Sequence, residues 1–133
     1  MSAGSVSKLD FVLSLKGKAD LTLELKRHLA PKTVGGIARS IPIEGNAHMM
    51  GNTIAYVDTN IKTGGEKLRT QFKKGDAAFL AANGSICFFI EDTSGTKPMT
   101  LVGKITSNLE SLKNVKPGDI FSITQAGDRK SVV

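Results

Sequence analysis

Two apolar segments joined by an Asn-Gly pair dominate the hydrophobic pattern of the chain. They cover residues 76–82 and 85–91. A tight primed turn requires positive φ at both central residues, so Asn83-Gly84 between two apolar segments predicts a β-hairpin. Neither segment alternates between apolar and polar residues, as a strand with one wet face does. We therefore expect a central hairpin that is covered on both faces.

Period-two alternation elsewhere predicts six further strands, and helical spacing predicts two short helices. Pro31 opens the first helix, and a capping box from Ser107 to Glu110 opens the second. The pattern dissolves over residues 59–74, which we expect to form a loop. The further strands are expected at residues 8–16, 21–26, 43–50, 53–58, 99–105 and 120–124.

Eight short strands in one sheet leave exposed edges unless the sheet closes. The sequence therefore predicts a mainly β protein: a closed or nearly closed eight-stranded β-barrel with two short helices. We expect a single domain over residues 8–125, a disordered tail at 1–7 and a loose tail at 126–133.

Composition narrows the classes of function. The single Cys87 excludes an internal disulfide framework and favours a reducing compartment, so we expect a cytoplasmic protein. No apolar run is long enough to span a bilayer. The net charge of +6 is dispersed, and the chain has no Trp, which argues against nucleic-acid binding. His28, His48 and Cys87 lack the spacing of metal ligands, so we expect neither metal nor cofactor.

Three stretches, in chain order, resemble the cyclophilins. Residues 30–34 read A-P-K-T-V, residues 83–85 read N-G-S and are followed by F-F-I at 88–90, and residues 101–105 read L-V-G-K-I. The resemblance extends over roughly residues 9–124. It is closer still to the short prokaryotic cyclophilin-like barrel proteins, whose G-D, G, C and F-F positions match Gly75-Asp76, Gly84, Cys87 and Phe88-Phe89.

This resemblance implies a cyclophilin-like barrel with a shallow apolar groove that holds a proline-containing peptide. The cyclophilin arginine, which stabilises the twisted amide, has no counterpart in residues 45–51, and His48 and Arg69 are the candidate replacements. Cys87 fits a small buried hydrophobe better than a nucleophile. The groove residues expected from the resemblance and from the apolar pattern are Phe89, Cys87, Tyr56, Met50, Phe79, Ala82, Asn83 and Met99.

Three functions follow as hypotheses. The first is a cyclophilin-like module that binds an apolar or proline-containing peptide, or a small ligand, with little or no catalysis. The second is a peptidyl-prolyl isomerase with a non-standard donor. The third is a weak anion or RNA binder that uses residues 62–74. The oligomeric state, and whether residues 59–74 close over a ligand, stay open at this stage.

Overall fold

A computed structural model describes residues 8–126 of the chain. These residues form nine strands, one α-helix, α1 (Pro31–Ser40), and a 3-10 helix (Leu109–Asn114). The tails expected at 1–7 and 126–133 lie outside the described residues, except for Ala126. The strands are β1 (Lys8–Leu15), β2 (Ala19–Lys26), β3 (Ile43–Met50), β4 (Ile54–Asp58), β5 (Arg69–Phe72), β6 (Asp76–Leu80), β7 (Ser85–Phe89), β8 (Thr93–Ser107) and β9 (Ile120–Gln125).

Eight of these strands close into an antiparallel barrel, as the alternation pattern predicts. Their order is β2-β1-β9-β3-β4-β7-β6-β8, and β8 pairs with β2 to complete the circle. β5 stands outside the circle and pairs with the first part of β8. The prediction of a mainly β, closed eight-stranded barrel with two short helices is confirmed.

Closure of the barrel depends on a close approach between β2 and β8. Leu23 lies opposite Ile105, and Leu25 lies opposite Gly103. A Cβ atom at Gly103 would overlap the backbone carbonyl oxygen of Glu24. Gly103 therefore interrupts an apolar strand because no other residue allows the two backbones to come this close.

The interior of the barrel is filled by large apolar side chains. Leu13, Leu23 and Phe88 are completely buried, and Phe88 meets Phe121 edge to face with ring centroids 5.5 Å apart. The two helices contribute to the same cluster, α1 through Val34 and Ile37 and the 3-10 helix through Leu112. We call these buried apolar side chains, from the inside of the barrel and from the two helices, the interior cluster.

The central hairpin forms, but its turn differs from the predicted one. The last paired residues are Leu80 and Ser85, which leaves a four-residue loop over 81–84. Only Gly84 has positive φ, at 72°, so the primed two-residue turn expected at Asn83-Gly84 is wrong. The amides of Asn83 and Gly84 both donate to the carbonyl of Leu80, at 3.2 and 2.9 Å, which stabilises the longer loop.

Two further expectations fail for local reasons. The capping box is wrong: Ser107 ends β8 and its hydroxyl donates to Thr22 Oγ1 at 2.9 Å, while the 3-10 helix follows Asn108 in a left-handed conformation with φ 58°. Residues 59–74 are not purely a loop, because they contain β5. β8 also begins at Thr93, earlier than expected, and its first residues hold β5.

Replacing Gly103 with Ala should destabilise the barrel by about 3 kcal/mol, the upper range for overpacking, because the added Cβ displaces backbone rather than a flexible side chain. Urea unfolding would measure the change. Gly64→Ala is the matched control, since a Cβ there meets nothing within 4 Å. Equal stability of the two variants would contradict the role given to Gly103.

Candidate functional site

A second apolar cluster covers the outside of the barrel wall formed by β4, β7, β6 and β8. We call it the outer cluster. At its margin lie Met50, Tyr56 and Leu101, which are partly exposed. Its buried members are Ile54, Phe72, Ala78, Leu80, Cys87, Phe89 and Met99. The hairpin is therefore buried on both faces, as its unbroken apolar sequence predicts.

Phe72 is the member of the outer cluster that comes from residues 59–74, and we call these residues the covering segment. Phe72 in β5 stacks on Phe89, with ring centroids 4.6 Å apart and an interplanar angle of 20°. Phe72 is 2% exposed, and Cys87, Phe89 and Met99 are completely buried. The chain thus fills the deep part of the predicted groove with its own side chain.

The structure brings together five of the eight predicted groove residues, which are Phe89, Cys87, Met99, Met50 and Tyr56. Phe79 belongs to the interior cluster instead, since its neighbours in β6 face outward and successive side chains alternate across a strand. Ala82 and Asn83 are exposed in the 81–84 loop, where they line a cavity of about 320 Å³ beside residues 59–63.

The two candidate donors are exposed and lie on different strands. His48 is opposite Tyr56 in the β3–β4 pair, and the two rings stack with centroids 5.2 Å apart. His48 therefore borders the margin of the outer cluster. Arg69 lies on β5 opposite Met99. Each candidate donor thus lies opposite a predicted groove residue, His48 opposite Tyr56 and Arg69 opposite Met99.

Asp58 and Ser85 join His48 in a polar group that the sequence analysis missed. The Ser85 hydroxyl donates to Asp58 Oδ1 at 2.5 Å, and Asp58 Oδ2 lies 3.9 Å from His48 Nε2. A catalytic serine needs a histidine, not a carboxylate, as its immediate proton acceptor. Here the Asp58 carboxylate lies between Ser85 and His48. It helps to hold His48 in position, and the three residues do not form a nucleophilic triad.

Cys87 is chemically inert in this setting. Burial raises the pKa of its thiol to about 12, and the negative charge of Asp58 adds to the increase. The thiolate is the reactive form of cysteine, so Cys87 stays protonated at neutral pH. It serves as a small apolar side chain of the outer cluster.

Glu66 anchors the covering segment to the barrel. Its carboxylate accepts hydrogen bonds from the Thr33 amide at 2.8 Å and the Thr33 hydroxyl at 2.9 Å, near the start of α1. Its own amide donates to Thr100 Oγ1 at 2.9 Å. Partial burial raises the pKa of Glu66, but the hydrogen bonds from Thr33 and the nearby Lys32 outweigh burial and lower it below its ordinary value.

The fold and the sequence together identify the class of protein. A model of the cyclophilin-like family matches residues 9–124, and the chain belongs to this family. No curated protein matches the chain. No helix within residues 8–126 is long and apolar enough to cross a membrane.

Several solved structures share this fold, among them an archaeal protein and McbB. The hypothetical protein AF2241 from Archaeoglobus fulgidus is 24% identical, with a TM-score of 0.76; the alignment covers 90% of this chain and 96% of that protein. McbB, solved in complex with tryptophan, is 11% identical, with a TM-score of 0.74; the alignment covers 88% of this chain and 45% of McbB. At these identities the likeness establishes the fold alone.

Phe72→Ala should loosen the covering segment and expose Cys87. Loss of this buried ring should cost about 3 kcal/mol. A thiol reagent at pH 8 should then label native Cys87 roughly tenfold faster or more, because about 1.4 kcal/mol changes a population tenfold. Leu68→Ala is the control, since Leu68 is 56% exposed on the same segment. Unchanged labelling in Phe72→Ala would show that Phe72 does not shield the thiol.

Glu66→Gln should remove a pH-dependent part of the stability. The pKa of Glu66 is lower in the folded protein than in the unfolded chain. Its contribution to the free energy of unfolding is therefore fully present at a pH above the ordinary pKa of glutamate, and it is lost as the pH falls through the pKa of the folded protein. We expect the variant to be less stable by about 1 kcal/mol at pH 7, as for loss of a helix cap, and the difference to shrink in acid. Chemical unfolding between pH 7 and about pH 3 would measure it.

Glu44→Gln is the control for this comparison, because Glu44 is an exposed partner of Lys16 at 3.1 Å. Such surface pairs contribute about 0–1 kcal/mol. A Glu66→Gln difference that stayed constant down to low pH would contradict the charge-based anchor.

Proposed function

We propose that this protein is a cyclophilin-like binding module for an apolar or proline-containing peptide, or a small apolar ligand, with little or no isomerase activity. The binding surface is the margin of the outer cluster, formed by Met50, Tyr56 and Leu101. The observation that carries the proposal is that these three apolar side chains stay partly exposed at the two sides of a buried apolar cluster, Met50 and Tyr56 at one side and Leu101 at the other. Partly exposed apolar side chains beside a buried cluster are typical of interaction sites.

The chemistry of the margin supports this class of ligand. Tyr56 and His48 form a stacked pair at an interplanar angle of 30°, which offers a flat surface to a proline ring or another apolar group. The Tyr56 hydroxyl and an imidazole N–H of His48 can each donate a hydrogen bond to a peptide carbonyl. An apolar surface with a few polar groups binds and orients a ligand without requiring a reaction.

Three observations support weak or absent catalysis. Residues 45–51 contain no arginine. Phe72 occupies the deep part of the groove, and Cys87 is a buried, protonated thiol. A cytoplasmic location and a prokaryotic source are part of the same proposal, supported by the single cysteine and by the archaeal protein that shares the fold.

The isomerase alternative has one observation in its favour, the contact between His48 and Tyr56 at the margin. His48 would then donate to the twisted amide in place of the missing arginine. The anion-binding alternative has less support, because Lys67 donates to the His28 carbonyl at 3.1 Å and Lys74 pairs with Glu110 at 3.2 Å. These contacts occupy two of the basic side chains in residues 62–74.

Binding of a short Ala-Pro peptide to isotope-labelled protein should shift the resonances of Met50, Tyr56 and Leu101, with no acceleration of cis–trans exchange in the peptide. Tyr56→Ala should weaken binding at least about tenfold, the effect of losing about 1.4 kcal/mol of ring contact. Leu29→Ala is the control, since Leu29 is also apolar and partly exposed but lies outside the outer cluster.

The same spectra separate the alternatives. Faster exchange that is lost in His48→Ala or Arg69→Ala would replace the binding module with an isomerase. Binding that weakens steeply with salt, with shifts confined to residues 62–74, would favour the anion binder. No shift at the margin would refute the proposal.

A further inference from the structure

A separate cavity of about 530 Å³ lies over the interior cluster, away from the outer cluster. It is bordered by the β3–β4 turn, the residues that follow β7 and the segment that follows the 3-10 helix. Its volume falls within the range of about 300–1,000 Å³ found for small-molecule sites. The lining residues are Met49, Gly51, Asn52, Ile90, Glu91, Lys113, Val115 and Pro117.

The floor of this cavity is apolar and rigidly held. Ile90 is 5% exposed, Val115 is 6% exposed, and Met49 packs against the same interior cluster. The Ile90 amide donates to the Thr53 carbonyl at 2.7 Å, and the Val115 amide donates to the Leu112 carbonyl at 3.2 Å. These hydrogen bonds hold the floor in place before a ligand binds. Binding therefore loses less conformational entropy than it would at a flexible site.

The charged residues in the lining are one acid, Glu91, and one base, Lys113. Lys113 Nζ lies 2.9 Å from Glu110 Oε1, and Lys74 Nζ lies 3.2 Å from Oε2 of the same carboxylate. Two ammonium groups thus share the carboxylate of Glu110, and Lys113 supplies the positive charge in the lining. Glu91 provides negative charge within the same lining.

We propose that this cavity binds a small zwitterion with an apolar side group, of the size of an apolar amino acid. The ligand ammonium pairs with Glu91, its carboxylate pairs with Lys113, and its side group packs on Met49, Ile90 and Val115. A ligand with only one charge is disfavoured, because it meets a residue of like charge in the same small space. The site is independent of the peptide-binding margin proposed above.

Three probes that share one apolar body separate these charge requirements. They are L-phenylalanine, phenethylamine and 3-phenylpropanoate, each titrated into the isotope-labelled full chain at neutral pH and low salt. We expect saturable shifts at Met49, Ile90 and Val115, with phenylalanine binding at least about tenfold more tightly than either singly charged probe.

Two charge variants test the assigned partners. Glu91→Gln and Lys113→Met should each weaken phenylalanine binding about tenfold. Glu91→Gln should also improve binding of 3-phenylpropanoate, since the repelling carboxylate is gone. Glu91 is exposed and Lys113 has a side chain that is 48% exposed, so both variants should fold; Glu44→Gln and Lys97→Met are the matched exposed controls.

Three results would overturn the inference. The first is the absence of a saturable shift at the cavity for any probe. The second is equal affinity for phenylalanine and either singly charged probe. The third is a set of shifts centred on Tyr56, which would place the ligand on the outer cluster. Failure of the peptide experiment would leave this test unaffected, because the two sites share no lining residue.

Discussion

The close approach of β2 and β8 at Gly103 is the constraint on which the rest of the structure depends. Without a side chain at this position the two backbones pair, and the eight strands of the barrel close into a circle. β8 spans 15 residues, and its two ends have different partners. Its second half pairs with β2 and β6 as part of the wall, whereas Thr93, Ser94 and Met99 pair with β5. Barrel closure and the covering segment therefore rest on the same strand.

Burial of β7 on both faces follows from this arrangement and decides what becomes of the groove. Ile86 and Phe88 point into the interior cluster, and Cys87 and Phe89 point into the outer cluster. The outer wall of a barrel ordinarily meets solvent. Here Phe72 takes the place of solvent or ligand over Phe89. The deep part of the predicted groove is core, so the binding site proposed above is limited to the margin.

The fold could be predicted from local patterns, but side-chain assignments across the barrel could not. The unbroken apolar hairpin correctly indicated burial on both faces. The sequence did not reveal that Phe79 faces the interior of the barrel and Phe89 faces the outside. Alternation assigns neighbouring residues of a strand to opposite faces of the sheet, but it does not say which face is the inner one. β5 was missed because Phe72 is its only apolar residue. Asp58 was missed because its partner Ser85 lies 27 positions away along the chain.

The composition of the margin explains why binding and slow chemistry belong together in the proposed function. A group that binds substrate and transition state equally gives no acceleration. Apolar contact with Met50, Tyr56 and Leu101 is of this uniform kind, since twisting an amide leaves the proline ring unchanged. Rate acceleration requires a donor that strengthens its bond to the twisted amide. A single neutral hydrogen bond contributes about 0.5–1.5 kcal/mol, whereas one to a charged group contributes about 1.5–3 kcal/mol. A single neutral donor at the margin therefore supplies roughly tenfold at most, against a barrier near 20 kcal/mol.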